Sequence, residues 1–173
     1  MAVKDIDVAK RAFSSSDWRT GADAVFSAMG VSVSVVDFAS GEVLAGGRTC
    51  SYCPYLEAGH VDSGDCLDEC PDVNVAQGRL ICRAGLPALY SAVTCSDRVV
   101  AHVVLSGFVT STRERRGRYE SLFNSGMGED AARRRIKTLP ILARAQAEAL
   151  LQMAVASATT TFAATLERMV AAD

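Results

Sequence analysis

Six cysteines, Cys50, Cys53, Cys66, Cys70, Cys82 and Cys95, fall within 46 residues of a 173-residue chain, and both flanks contain none. Thiols gathered this closely support three chemistries: disulfide cross-links, a bound metal or cluster, or a redox switch. Cys50-x-x-Cys53 can direct two sulfurs to one ion, and Cys66-x-x-x-Cys70 can do the same from a turn of helix. Together the two pairs meet the ligand count of a tetrahedral four-cysteine site. Thiolate sulfur suits zinc or an iron–sulfur cluster and does not suit hard cations. The spacing matches no specific zinc-finger or ferredoxin pattern, so cysteines packing as small hydrophobes is the competing reading. Cys95, inside the apolar run AVTCS, reads as packing.

Beyond the cysteines, chemistry-bearing residues are sparse. There are two histidines. His60 lies in the cysteine-rich stretch, where it is a substitute ligand, and His102 sits between valines as a hydrogen-bonded core or surface histidine. No Ser/His/Asp set, paired-carboxylate motif or phosphate-binding glycine loop is present, so an enzyme is not expected. The arginine groups RERRGR (113–118) and RRR (133–135) read as solvated helix and loop faces. A net charge of −2 gives no general attraction to nucleic acid or anionic membrane. The opening Met1-Ala-Val-Lys-Asp is too polar for a signal peptide, which makes the cytoplasm the expected location. Thiols there are kept reduced, and metal or redox chemistry becomes the better reading of the cluster.

The elements that must position these residues follow from periodicity. Residues 5–13 and 17–29 read as helices. The second has Asp17 as cap, an apolar face of Trp18, Ala22, Val25, Phe26 and Met29, and Gly30 as its stop. VSVSVVD (31–37) alternates strictly and predicts a half-buried strand; EVLAG (42–46) predicts another after the FASG turn. The cysteine-rich stretch, broken by Pro54, Gly59, Gly64 and Pro71, reads as loop. RLICR (79–83), ALYSAVT (88–94) and VVAHVVLSGFV (99–109) predict three more strands, the last two joined at Ser96-Asp97. From Glu114 the pattern is helical, with a long helix starting at Pro140 and running toward Met169.

Along that helix Leu151, Val155, Ala158, Phe162, Thr165 and Met169 alternate spacings of four and three. This is the seam of a helix–helix contact, open to a second copy or to the domain's own sheet. The uncharged run 149–166 reaches the lower edge of a membrane span, but its alanines, threonines and Gln152 make it weakly hydrophobic. A buried or partner-facing helix is expected. The whole chain reads as one domain: N-terminal helices 5–29, core 30–110 and C-terminal helices 114–170. Its class is α+β, a five-stranded antiparallel sheet flanked by helices, in the element order that PAS and GAF sensor domains share.

Within that frame Tyr52-Cys53, then Cys66 after twelve intervening residues, then ICRAGLPALYSAV (81–93) and VVAHVVLSGF (99–108) resemble the PocR sensory domain. That family is a PAS-like ligand-binding module of bacterial transcription regulators and histidine kinases. The resemblance covers about residues 20–165, carried by Cys53, Cys66, Cys82 and Ala84-Gly85-Leu86. Arg83 stands where the family has a histidine, Ala88 near its aspartate, Ser91-Ala92 at its Ile-Pro, and Ser106-Gly107 at its Gly-Gln. The resemblance implies a small-molecule pocket between sheet and helices, for which Tyr90 and Ser106 are the candidate hydrogen-bonding residues. It also implies that Cys53, Cys66 and Cys82 act together. Joined to the spacing argument, the expected metal set is Cys53, Cys66, Cys70 and Cys82, with Cys50 the alternative fourth ligand and zinc or an iron–sulfur cluster the occupant. The function expected is a cytoplasmic sensory domain of signal transduction or transcription regulation that binds a small, largely apolar molecule. It would be a homodimer through the C-terminal helix and would act on a downstream signalling protein or output domain, without nucleic acid or membrane as partner. The alternatives are a metal or redox sensor with no organic ligand, and a purely structural dimerisation module.

Overall fold

In a computed structural model, residues 4–15, 18, 20–21, 28–37, 40, 42–46, 75–82, 85–124 and 126–172 are described. They form an α+β fold around one antiparallel sheet. Helix α1 (Asp5–Ser14) leads to β1 (Ser32–Asp37) and β2 (Val43–Gly46). Then follow β3 (Gln77–Ile81), β4 (Pro87–Cys95) and β5 (Arg98–Ser106), and helices α2 (Thr112–Asn124), α3 (Glu129–Thr138) and α4 (Arg144–Ala172). Strand order is β2-β1-β5-β4-β3, so β2 and β3 are opposite edges of the sheet. Each expected strand is present. The cysteine-rich loop and most of the second expected helix, including Asp17, Ala22, Val25 and Phe26, lie outside the described residues. Gly30 takes a left-handed φ of 74°, as a helix stop requires, whereas Met29 is 41% exposed and does not join the apolar face expected for it.

Register divides the sheet into two faces. On the first, Val33, Val35, Leu89, Val93, Val103 and Leu105 meet Val8, Ala12 and Phe13 of α1 and Leu151, Ala154, Ala158 and Phe162 of α4 in one apolar cluster. Trp18 extends it, edge-on to Phe13 at 5.3 Å. At the α1 margin Lys10 pairs with Glu42 at 2.9 Å, and this hydrogen bond raises the lysine pKa above its ordinary value. The β4–β5 hairpin closes through Ser96 and Asp97, with φ of 49° and 62°. Two successive left-handed residues match the right-handed strand twist that a two-residue hairpin needs.

Three differences from the sequence expectation have clear causes. The long helix starts at Arg144 rather than Pro140, because the Pro140 carbonyl accepts the Val109 N–H at 3.0 Å and the Leu142 N–H returns to the Val109 carbonyl at 2.9 Å. Gln146 then caps the helix by accepting the Ala143 N–H at 2.9 Å. Strand β5 stops at Ser106, since Gly107 turns the backbone with φ of 81°. All six residues of β1 are buried, so the serines of VSVSVVD do not face solvent.

The seam of α4 is filled from within the chain. Leu151, Ala158 and Phe162 are fully buried, Thr165 is 4% exposed, and Val155 and Met169 pack at the cluster's margin. Thr165 tolerates burial because its hydroxyl donates to the Thr161 carbonyl at 2.9 Å, leaving no unmatched polar group. By length and composition α4 could cross a membrane, with mean hydropathy 1.3 in its most apolar window, 33% of which is buried inside the chain. Because Phe162 lies in the core, Phe162→Ala should lower unfolding free energy by about 3–5 kcal/mol, read from urea denaturation.

Candidate functional site

The second face of the sheet carries Ser32, Ser34, Tyr90, His102 and Ser106, while Ser91 and Asp37 fall on the first face. Antiparallel registers align Gly46, Ser34, Val104, Tyr90 and Gly78 in one row across all five strands. The next row aligns Val43, Val36, His102 and Ala92, and Ser32 sits opposite Ser106. Ser32, Ser34, Tyr90 and His102 are each less than a tenth exposed, and Ser106 is half-buried. Around them Val36, Leu80, Ala88 and Val104 make a small apolar cluster separate from the main core. The result is a polar ladder in an apolar frame, floored largely by glycine, alanine and serine. A few fixed hydrogen-bonding groups within apolar walls is the usual make-up of a small-molecule site.

Tyr90 is the centre of this face. Its ring lies over Gly78 of the edge strand: a Cβ added there would collide with the ring and hydroxyl. On the other side the His102 ring stands edge-on, 5.7 Å away at 76°. Glycine on β3 is thus the recess that lets an aromatic side chain lie along the sheet. Tyr90 and Ser106, the two expected ligand-binding residues, share this face, and neither is turned to bulk solvent. His102, read in sequence as a hydrogen-bonded core or surface histidine, is in the core at 1% exposure, and Ser32 and Ser34 were not singled out by sequence. Their signal was the period of two, which joins them to Tyr90 only once β1 is known to pair with β5.

Of the expected metal ligands, Cys82 alone is among the described residues; Cys53, Cys66 and Cys70, with Cys50 and His60, lie outside them. Cys82 follows β3 in a tight turn, where its N–H donates to the Leu86 carbonyl at 2.9 Å and its carbonyl accepts the Gly85 N–H at 2.7 Å. Its side chain is buried beside Leu86, Val109 and Leu122, the foot of the α2–α3 helix pair. Cys95 packs at the margin of the main core, as expected. Among the described residues no group of three or more histidine, cysteine or carboxylate side chains is assembled.

The arginine groups are more than solvated faces. Arg115 donates to the Ile136 and Lys137 carbonyls at 3.0 and 3.1 Å, placing a cation at the C-terminus of α3. Arg116 pairs with Glu120 one turn away, and Arg118 lies against Gly85. Comparison with family models, curated proteins and solved structures finds no match for this chain.

The Tyr90–Gly78 contact gives a test. Gly78→Ala should force the ring off its seat and cost about 1–3 kcal/mol. In a double-mutant cycle with Tyr90→Ala the two costs should be far from additive, since the steric conflict vanishes with the ring.

Proposed function

We propose that this chain is a PocR-like sensory domain of bacterial signal transduction or transcription regulation, which binds a small, largely apolar molecule on the second face of its sheet. One observation carries the reading: Tyr90, His102, Ser34 and the Ser32–Ser106 pair converge on a buried face framed by valine, leucine and alanine. An interior needs no such concentration of polar groups to be stable, whereas a ligand site needs them for orientation. The element order of PAS and GAF sensors supports the assignment. Signal would leave through α4, whose inner side touches the same strands, β4 and β5, that bear Tyr90 and His102. Its exposed side is then the surface for a second copy, an output domain or a downstream signalling protein. A cytoplasmic location belongs to the same reading.

The cysteine cluster enters as a tether. Cys53, Cys66, Cys70 and Cys82 would hold zinc, or alternatively an iron–sulfur cluster, and so tie the β2–β3 connection to the turn that carries Cys82. That connection joins opposite edges of the sheet, so a cross-link at its far end would fix it relative to the ligand face. A metal or redox sensor with no organic ligand is the second reading, favoured by the buried Cys82 standing at the base of the helical foot.

Two measurements separate these readings. Thermal-shift screening of short alcohols, diols and simple aromatics should find compounds that raise the melting temperature of the wild-type protein. Tyr90→Phe and Ser106→Ala should shrink that rise, because a ligand that binds only the folded state adds to its stability. A broad panel with no effect removes the organic-ligand reading. For the metal, Cys82→Ser should lower the metal content of protein purified under anaerobic conditions, with Cys95→Ser as control. Equal content in both proteins sinks the tether.

A further inference from the structure

A second cleft opens around the end of β3, where it shares Leu80 with the frame of the polar ladder. It is an open cleft of about 580 Å³, lined among the described residues by Arg79, Leu80, Ile81, Cys82, Gly85, Pro87, Glu114 and Arg118, without Tyr90 or Ser106. Its size falls in the range of small-molecule sites. Among its described lining residues two arginines face one carboxylate, Glu114, whose Oε2 accepts from the Thr110 N–H at 2.8 Å and the Thr110 hydroxyl at 2.9 Å. Among the described residues neither Arg79 nor Arg118 has a carboxylate partner, whereas Arg98, Arg116, Arg133 and Arg144 each pair with an Asp or Glu.

Arg118 is also placed. Gly85 has a φ of 74°, and a Cβ there would come within 2.6 Å of the Arg118 Nη1. The absent side chain therefore admits the guanidinium edge into the wall of the cleft. Beside it stand Pro87 and Ile81, the latter 66% exposed, a large apolar side chain open at the mouth. Two guanidinium groups next to exposed apolar surface match one chemistry: a carboxylate on an apolar body, its two oxygens taken by the planar forks. An inorganic anion would use the charges and leave the apolar wall wet.

We propose that this cleft binds a small organic acid, with its carboxylate held by Arg79 and Arg118 and its apolar part against Ile81 and Pro87. The inference does not rest on the sheet-face ligand, and the two sites can fail independently.

The test uses the full chain and sodium benzoate, compared with benzyl alcohol and inorganic phosphate at matched ionic strength. Benzoate should shift the backbone amide resonances of Ile81 and Gly85 in a saturable way and raise the melting temperature. Benzyl alcohol, which has the ring without the charge, should do neither at the same concentration, and phosphate should bind more weakly than benzoate. Arg118→Gln and Arg79→Gln should each weaken benzoate about tenfold or more, the worth of a charge-assisted pair. Far-UV circular dichroism checks that both variants are folded. If Arg118→Gln fails to fold, the exposed Arg79 carries the test alone. Absent benzoate binding, or binding unchanged in the folded variants, overturns the proposal. Phosphate equal to or tighter than benzoate also overturns it, by making the cleft an inorganic-anion site.

Discussion

The packing of both chain ends on one face of the sheet is the constraint on which the rest depends. Helices α1 and α4 touch each other and together cover the strand residues Val33, Val35, Leu89, Val93, Val103 and Leu105. A strand alternates its side chains, so filling one face with valine and leucine leaves every second position for other work. In β1 those positions are Ser32, Ser34 and Val36; in β4 and β5 they include Tyr90, His102 and Ser106. The larger apolar core thus leaves room on the opposite face for polar side chains beside a smaller apolar cluster.

Much of the architecture was legible because it rests on local pattern. Strict alternation in VSVSVVD and the β-branched run VVAHVV mark strands whose identity no tertiary context overrides. The hairpin at Ser96-Asp97 was readable too, since short polar residues tolerate left-handed backbone. Element ends were less legible. Pro140 looks like a helix start in sequence, but its carbonyl belongs to Val109, thirty-one residues earlier, and no local signal records that bond. The spacing of Leu151, Ala158 and Phe162 correctly defined an apolar stripe while leaving open what would cover it. Periodicity gives a face its direction and never its partner.

The same limit applies to the sites. Tyr90 and Ser106 could be chosen as polar residues in apolar strands, yet their shared face needed the β4–β5 and β1–β5 registers. Two glycines were harder still. Gly78 lies just before the strand expected at 79–83 and Gly85 entered only with the resemblance, but one seats the Tyr90 ring and the other admits Arg118. Their meaning lies in what approaches them from a neighbouring strand or helix. Arg115 and Arg118, read as solvated, are likewise explained only by the carbonyls and the turn they reach.

Strand order has a further consequence, for how the chain assembles. Strands β4 and β5 meet across two residues, so their pairing closes almost no loop. Strand β1 must instead find β5 across some sixty residues, an entropy loss on the order of 4 kcal/mol before any contact forms. The hairpin is the template that can exist first, and β1 is the visitor. Of the two pairings made by the central strand β5, one therefore joins the nearest neighbours along the chain and the other the most distant.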